Sequence, residues 1–226
     1  DTGGLTTTLG RGGSDYTASI LAAALDASVL EIWTDVSGMM TADPRLVNNI
    51  KQIPQISYQE AMELSHFGAK VIYPPTIQPV MKKGIPVWIK NTFAPEEAGT
   101  VIKNEATATG SSIQGISSIN KIVLLSLEGS GMVGIPGFSK RLFEALANAS
   151  INVILITQGS SEHSICCVVR SAEAQRAQAA LLNAFAHELN IGQIQRVQLT
   201  EGVSVLAAVG DGMAGQPGVA ARLFEA

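Results

Sequence analysis

The chain has 226 residues, 46% of them apolar and 15% charged, and a formal net charge of −4. That is enough apolar sequence for one large or two ordinary domains with packed cores, and the acidic balance excludes a general attraction for nucleic acid or anionic lipid. The longest apolar runs, 122–125 and 203–209, fall far short of the roughly 20 residues that cross a bilayer, so no membrane partner is expected.

In chain order, Leu-Thr-Thr-Thr-Leu at 5–9 has a β-rich composition and runs into a glycine loop at 10–13. Ser14 is placed to cap a helix reaching to about 26, with Ile20, Leu21, Ala24 and Leu25 as its apolar face. A short strand follows at 29–34 and a loop at 35–44. A helix at 58–67 has Ser57 as N-cap and Gly68 as its stop, and another at 76–83 ends at Gly84, ahead of a strand at 87–89. This alternation predicts an α/β layered domain with a largely parallel sheet over 1–103, with Trp33 and Trp88 in its core.

Residues 104–118 are small and polar, the composition of a linker. The pattern then changes to a strand at 121–127, a helix at 136–149, strands at 152–157 and 164–170, and a helix at 172–189. That is the opening of a βαββαβ unit, a two-layer α+β sandwich over 119–200. The opening recurs from 201 to 226: residues 131–145 and 212–226 are identical at ten of fifteen positions, at an offset of 81. A tandem repeat is therefore predicted, its second copy cut short. The chain starts in a turn and stops inside a predicted helix, so a piece of a longer protein is expected. Cys166 and Cys167 are adjacent, which disfavours an ordinary disulfide and favours a reduced, cytoplasmic protein. His66, His163 and His187 have no zinc-like spacing with each other or with the cysteines, and no bound metal is expected.

Three stretches of the first domain carry candidate chemistry. In Gly10-Arg11-Gly12-Gly13-Ser14-Asp15-Tyr16-Thr17 the glycines let backbone N–H groups approach a ligand at a helix start. Arg11 can clamp a carboxylate, and Ser14 and Asp15 can take an ammonium or hydroxyl group. Glycines alone also fit a plain tight turn. Thr34 and Asp35 end a strand, the usual place for ligand contacts in open α/β sheets, though Asp35 and Gly38 also suit a simple turn. Lys70, after a helix, can neutralise phosphate charge, or be an ordinary solvated lysine.

Taken as whole strings, these stretches resemble aspartate kinases. Residues 10–17 are very similar to that family's aspartate-binding signature. Thr34-Asp35-Val36-Ser37-Gly38 with Met40 and Thr41-Ala42-Asp43-Pro44-Arg45 is similar to its nucleotide-binding segment, with methionine where an aromatic residue is common. Phe67-Gly68-Ala69-Lys70-Val71-Ile72-Tyr73-Pro74 resembles a motif near ATP, with Tyr73 for the usual histidine. The resemblance covers most of 5–103 and implies phosphate transfer from ATP, with Mg2+, to the side-chain carboxylate of L-aspartate. It implies aspartate binding by Arg11, Gly12, Gly13, Ser14 and Asp15, and nucleotide binding by Thr34, Asp35, Met40, Arg45, Lys70 and Val71. Asp15 and Lys70 are the implied catalytic residues. The family's Lys-Phe-Gly-Gly-Thr strand and loop, whose lysine contacts the transferring phosphate, has no counterpart in this sequence, so these residues by themselves are expected to be inactive.

The repeat resembles the ACT domain, a module that commonly binds amino acids. Effector contacts are implied at Gly131, Val133, Gly134 and Ile135 in its glycine-rich turn, and at Asn152, Val153, Gln158 and Ser160 in its second strand and turn. The string 157–164 is most similar to enzymes in which aspartate kinase is fused to homoserine dehydrogenase, which favours threonine as effector, with lysine second. Paired units of this class imply a homodimer or higher oligomer. Two other readings are a non-catalytic amino-acid-binding, dimerising module and a different amino-acid kinase; the 11–17 string and the repeats argue against the latter.

Overall fold

A computed structural model describes residues 3–4, 6–7, 10, 12–69, 71–105, 112–159, 163–213 and 215–225. The chain forms two compact units, Asp1–Ser118 with Leu206–Ala226, and Ile119–Val205.

The first unit is built on β1 (Leu30–Thr34), β2 (Gln55–Ser57), β3 (Val87–Asn91) and β4 (Thr100–Lys103), in the order β1-β3-β4-β2. β1 and β3 pair in parallel from Leu30↔Val87 to Thr34↔Asn91, as the alternation predicts. β4 runs antiparallel to β3 and parallel to β2, so the sheet is mixed. At three and four residues, β2 and β4 are too short to show an alternation of their own. Leu30, Ile56, Val87, Ile89 and Ile102 of the sheet pack with Ala61 and Leu64 of α2 (Tyr58–His66) and Val80 of α3 (Gln78–Lys83). α2 opens with a complete capping box between Ser57 and Glu60.

α1 (Gly13–Ala24) reverses the face expected of it. Ile20, Leu21 and Leu25 are exposed, while Ser19 and Ala22 are buried. The helix lies against α3 and the 3-10 turn Pro74–Ile77, and the side with small side chains is the one that permits so close an approach. Nor do the tryptophans enter the core. Trp33 is 45% exposed and Trp88 half-buried, and the Lys90 ammonium lies 5.1 and 5.8 Å from their ring centroids.

The predicted succession follows: β5 (Gly115–Glu128), α4 (Phe138–Asn148), β6 (Leu155–Gln158), β7 (Ser164–Arg170), α5 (Ala174–Ala184), α6 (Ala186–Asn190) and β8 (Arg196–Val209), all in the second unit except residues 115–118 of β5 and 206–209 of β8, which count with the first. Their sheet has the order β6-β7-β5-β8, with β7 antiparallel to both β5 and β6. Period-two burial of Val123, Leu125 and Leu127 against Ile165, Cys167 and Val169 meets Leu142 and Leu146 of α4 and Ala177 and Leu181 of α5. The helix expected at 172–189 breaks at Phe185 (φ −115°, ψ 21°), whose ring is fully buried and stacked on Phe138.

Within the first unit, residues 112–118 are small and polar as a linker would be, yet they are well bonded. The Gln114 N–H donates to Val209 O at 2.8 Å, just as the Gln195 N–H donates to Glu128 O at 2.8 Å in the second unit. The two pairs are related by the same 81-residue offset, with donor and acceptor roles kept. The second copy of the repeat ends in α7 (Val219–Glu225).

Candidate active site

α1 begins from Gly12, which sits in the left-handed region (φ 68°, ψ 17°), and no side chain caps its first turn. A Cβ on Gly12 would lie 2.9 Å from Tyr73 Cβ and 3.2 Å from Thr76 Cγ2, so only glycine meets both demands. The loop closes with Gly13 N–H donating to Gly10 O, Tyr16 N–H to Gly12 O, and the Thr17 hydroxyl to Gly13 O. Ser14, expected as the cap, is instead inside the helix, with Oγ 3.4 Å from Asp15 Oδ1. An uncapped helix start after a tight glycine loop offers N–H groups and the positive end of the helix dipole to an anion. Arg11 lies outside the described residues.

A cavity of about 480 Å³ opens at the end of β1. Thr34, Asp35, Met40, Arg45 and Val71 all line it; Lys70 lies outside the described residues. The loop after β1 is pinned from behind. The Gln52 amide donates to Ser37 O, Asn91 Nδ2 donates to Ser37 Oγ at 2.8 Å, and Thr100 Oγ1 accepts the Met39 N–H at 2.8 Å while donating to Ile53 O at 2.6 Å. Gly38 (φ 99°) is obligatory there, because a Cβ would meet Thr100 Oγ1 at 2.3 Å. Arg45 is held by Asp43 through Nε and Nη2 at 3.0 and 2.7 Å, with its side chain 75% exposed. That hydrogen-bonded carboxylate raises the guanidinium pKa further above its already high value.

Asn91, Ile116, Ser117 and Ser118 also line the cavity and carry no role in the sequence reading. Asn91 was within reach of it: it ends β3 directly beside Thr34, so the strand-end rule applies to both. Residues 116–118 offered no signal, being small side chains next to a stretch of linker-like composition. They approach α2 and the turn after it closely: the Ser117 hydroxyl donates to Leu64 O at 3.2 Å, and a Cβ on Gly68 would lie 2.4 Å from Ser118 O.

In the second unit, Gly131 exchanges hydrogen bonds with Gln193, its N–H donating to Gln193 O and its carbonyl accepting from Gln193 Nε2. The turn leaves Val133 and Ile135 exposed, with Gly134 at φ 71° between them. α4 then starts from left-handed Gly137 with no side-chain cap. The Ser139 hydroxyl donates to Gln158 Oε1 at 3.2 Å, which brings Gln158 to that first turn. Asn152 is exposed and Val153 half-buried ahead of β6, later than the predicted strand start; Ser160 lies outside the described residues.

Residues 1–91 match the family model of the amino acid kinase family, and residues 125–185 match that of an ACT domain. The chain is 47% identical to a bifunctional aspartokinase/homoserine dehydrogenase of Haemophilus influenzae, over 96% of its own length and 27% of the relative's. It superposes on the aspartate kinase of Clostridium acetobutylicum with a TM-score of 0.86 and 32% identity, over 97% of this chain and 50% of that one. Over nearly its whole length the chain is similar to part of the aspartate kinases. E. coli aspartokinase III matches as well, in complex with aspartate and ADP (R-state; TM-score 0.79, 35% identity, 99% of this chain and 49% of that one). With lysine and aspartate (T-state) the values are 0.77, 36%, 99% and 48%. The chain thus spans about a quarter of the bifunctional relative and about half of the solved aspartate kinases. Most of the cavity lining falls within the amino acid kinase match, with Ile116, Ser117 and Ser118 beyond it, and the α+β sandwich carries the ACT match. Among the described residues no helix is long and apolar enough to cross a membrane.

Proposed function

We propose that this chain serves an enzyme that transfers the γ-phosphate of ATP to the side-chain carboxylate of L-aspartate, giving 4-phospho-L-aspartate. The observation that carries it is the convergence of Thr34, Asp35, Met40, Arg45 and Val71, from two separate stretches, on one cavity. The uncapped glycine loop adds to it by packing on Tyr73 and Thr76, just past that cavity's Val71. Gly12, Gly13, Ser14 and Asp15, with Arg11, hold the aspartate; the cavity holds the nucleotide; Lys70 meets phosphate charge. The nucleophile is the substrate's own carboxylate, so the protein's part is positioning and charge neutralisation. ATP arrives with Mg2+, which offsets phosphate charge.

The ACT region, with 119–200 as its first unit and 201–226 as the start of a second, binds an end-product amino acid and joins subunits into a dimer. Threonine is favoured, from the 157–164 string and the likeness to a bifunctional relative. Lysine stands second, supported by the likeness to an aspartokinase solved with lysine. The exposed turn residues Val133 and Ile135 and the placement of Gln158 at α4 suit an amino-acid ligand.

The test is trapping of the acyl phosphate with hydroxylamine in the natural full-length product. Signal must require both ATP and aspartate, and Arg11→Ala must chiefly raise the KM for aspartate. No transfer refutes the kinase reading. Calorimetry on the 226-residue chain separates the alternative: heat with threonine or lysine but none with ADP would leave a purely amino-acid-binding module.

A further inference from the structure

Glu60 is only 2% exposed, yet both its carboxylate oxygens accept backbone N–H groups, one from a neighbour in sequence and one from far along the chain. Oε2 accepts from Ser57 at 3.0 Å and completes the capping box of α2. Oε1 accepts from Asp211 at 2.8 Å, 151 residues away. A capping box uses one such bond, so the second serves something other than the helix.

The repeat shows what that bond replaces. At the 81-residue offset, Asp211 corresponds to Ser130, Gly210 to Gly129 and Gln114 to Gln195. In the first copy the Ser130 N–H donates to Gln195 Oε1 at 3.0 Å, and a Cβ on Gly129 would lie 2.6 Å from Gln193 O. In the second copy a Cβ on Gly210 would lie 2.2 Å from Ser112 O, the equivalent atom. The two glycine turns are thus built alike, but the N–H that the first copy gives to a neutral glutamine is given in the second to a buried acid on α2.

α2 is also a wall of the cavity. Leu64, one turn beyond Glu60, lines it, as do Gly68 and Ala69 just past the helix. The Leu64 carbonyl further accepts from the Ser117 hydroxyl, and Ser117 lines the cavity too. We propose that Glu60 is a positioning residue that couples the glycine turn of the second ACT copy to this cavity; that the cavity takes a nucleotide rests on the function proposed above. When the turn rearranges, the Asp211 N–H leaves the carboxylate, a buried charge loses one of its two donors, and the first turn of α2 loosens. The cavity wall moves with it.

Asp211→Pro removes that single N–H at the first position of a short helical turn, where proline is tolerated. Asp211→Ala keeps the N–H and controls for the side chain. In the 226-residue chain, hydrogen exchange read by mass spectrometry is expected to speed up about tenfold over 58–69 in Asp211→Pro. It stays unchanged in Asp211→Ala, and over 165–169 in both. The Kd for MgADP rises about tenfold in Asp211→Pro only. Unchanged exchange over 58–69 overturns the coupling, and faster exchange with unaltered ADP affinity overturns its reach to the cavity. If Asp211→Pro does not fold, Glu60→Gln, which can accept from only one of the two N–H groups, must speed exchange over 58–69 by about threefold, and parental rates overturn the proposal. A parent chain that binds no ADP sinks the nucleotide assignment, while the exchange result still decides the coupling.

Discussion

Replacing Thr100 by valine tests how the loop at the cavity is held. Thr100 is fully buried, and its hydroxyl ties the Met39 N–H to the Ile53 carbonyl. Valine keeps the shape, so no cavity forms, but both backbone groups lose their partner among residues that are themselves 0% and 2% exposed. Each orphaned group costs about 1–3 kcal/mol, which puts Thr100→Val at about 2–6 kcal/mol out of a domain stability of about 5–15 kcal/mol. Thr100→Ser keeps the hydroxyl and loses one methyl, at a cost of about 1 kcal/mol. Urea unfolding followed by circular dichroism, with the m-value checked for constancy, measures both. A Thr100→Val chain within about 0.5 kcal/mol of the parent, or a Thr100→Ser chain equally damaged, refutes the hydrogen-bond account.

The Arg141 guanidinium pairs with the Glu188 carboxylate, donates to Ala184 O at 2.7 Å and lies 4.6 Å from the Phe185 ring centroid. Arg141→Met is expected to cost about 1–3 kcal/mol, discounted because the arginine side chain is 41% exposed. The hydrogen bond from Arg141 holds the Glu188 carboxyl below its usual value. Its stabilisation is therefore full above the unfolded carboxylate pKa of about 4.3 and is lost as pH falls through the depressed folded value; Arg141→Met flattens that acid limb in a Tm-against-pH series. Burial, with Cys166 adding to it, pushes the Cys167 thiol up to about 11, so a thiol reagent at pH 8 labels at most one cysteine in the native chain and both after unfolding. Gly12→Ala is expected to cost about 1–3 kcal/mol in the urea assay, from a left-handed backbone and the Tyr73 contact. Gly10→Ala, at φ 73° with nothing within 4 Å of the added Cβ, carries the backbone strain alone and is milder; equal losses would remove Tyr73 from the explanation.

What sequence reasoning could reach depended on the range of the signal. The β1–β3 pair and the ACT sandwich were legible because composition and the 81-residue identity are local properties of the chain. The face of α1 was misread because helical periodicity ranks side chains by hydrophobicity. The partner of α1 is a turn whose Tyr73 approaches Gly12, and only small residues fit beneath it. Thr34 and Asp35 were found by a rule about strand ends. Asn91 falls under the same rule once β3 is carried to its end at 91 instead of 89, whereas Ile116, Ser117 and Ser118 awaited a contact with α2 from about 50 residues away that no spacing encodes. Glu60 reads locally as a helix cap, and nothing near it in the chain announces Asp211.

The two tryptophans, flanking one ammonium at the surface, give the molecule an optical reporter of its own. Trp33 precedes Thr34 and Lys90 precedes Asn91, so one indole and the ammonium are each one peptide bond from a cavity residue. A polyanion settling beside Asn91 would compete with the Glu31 carboxylate, 2.9 Å from the Lys90 ammonium, for the lysine that now polarises both indoles. Occupancy of the cavity should therefore register as a shift in intrinsic emission, without a label and without catalysis. Lys90→Met should abolish that shift even where the ligand still binds.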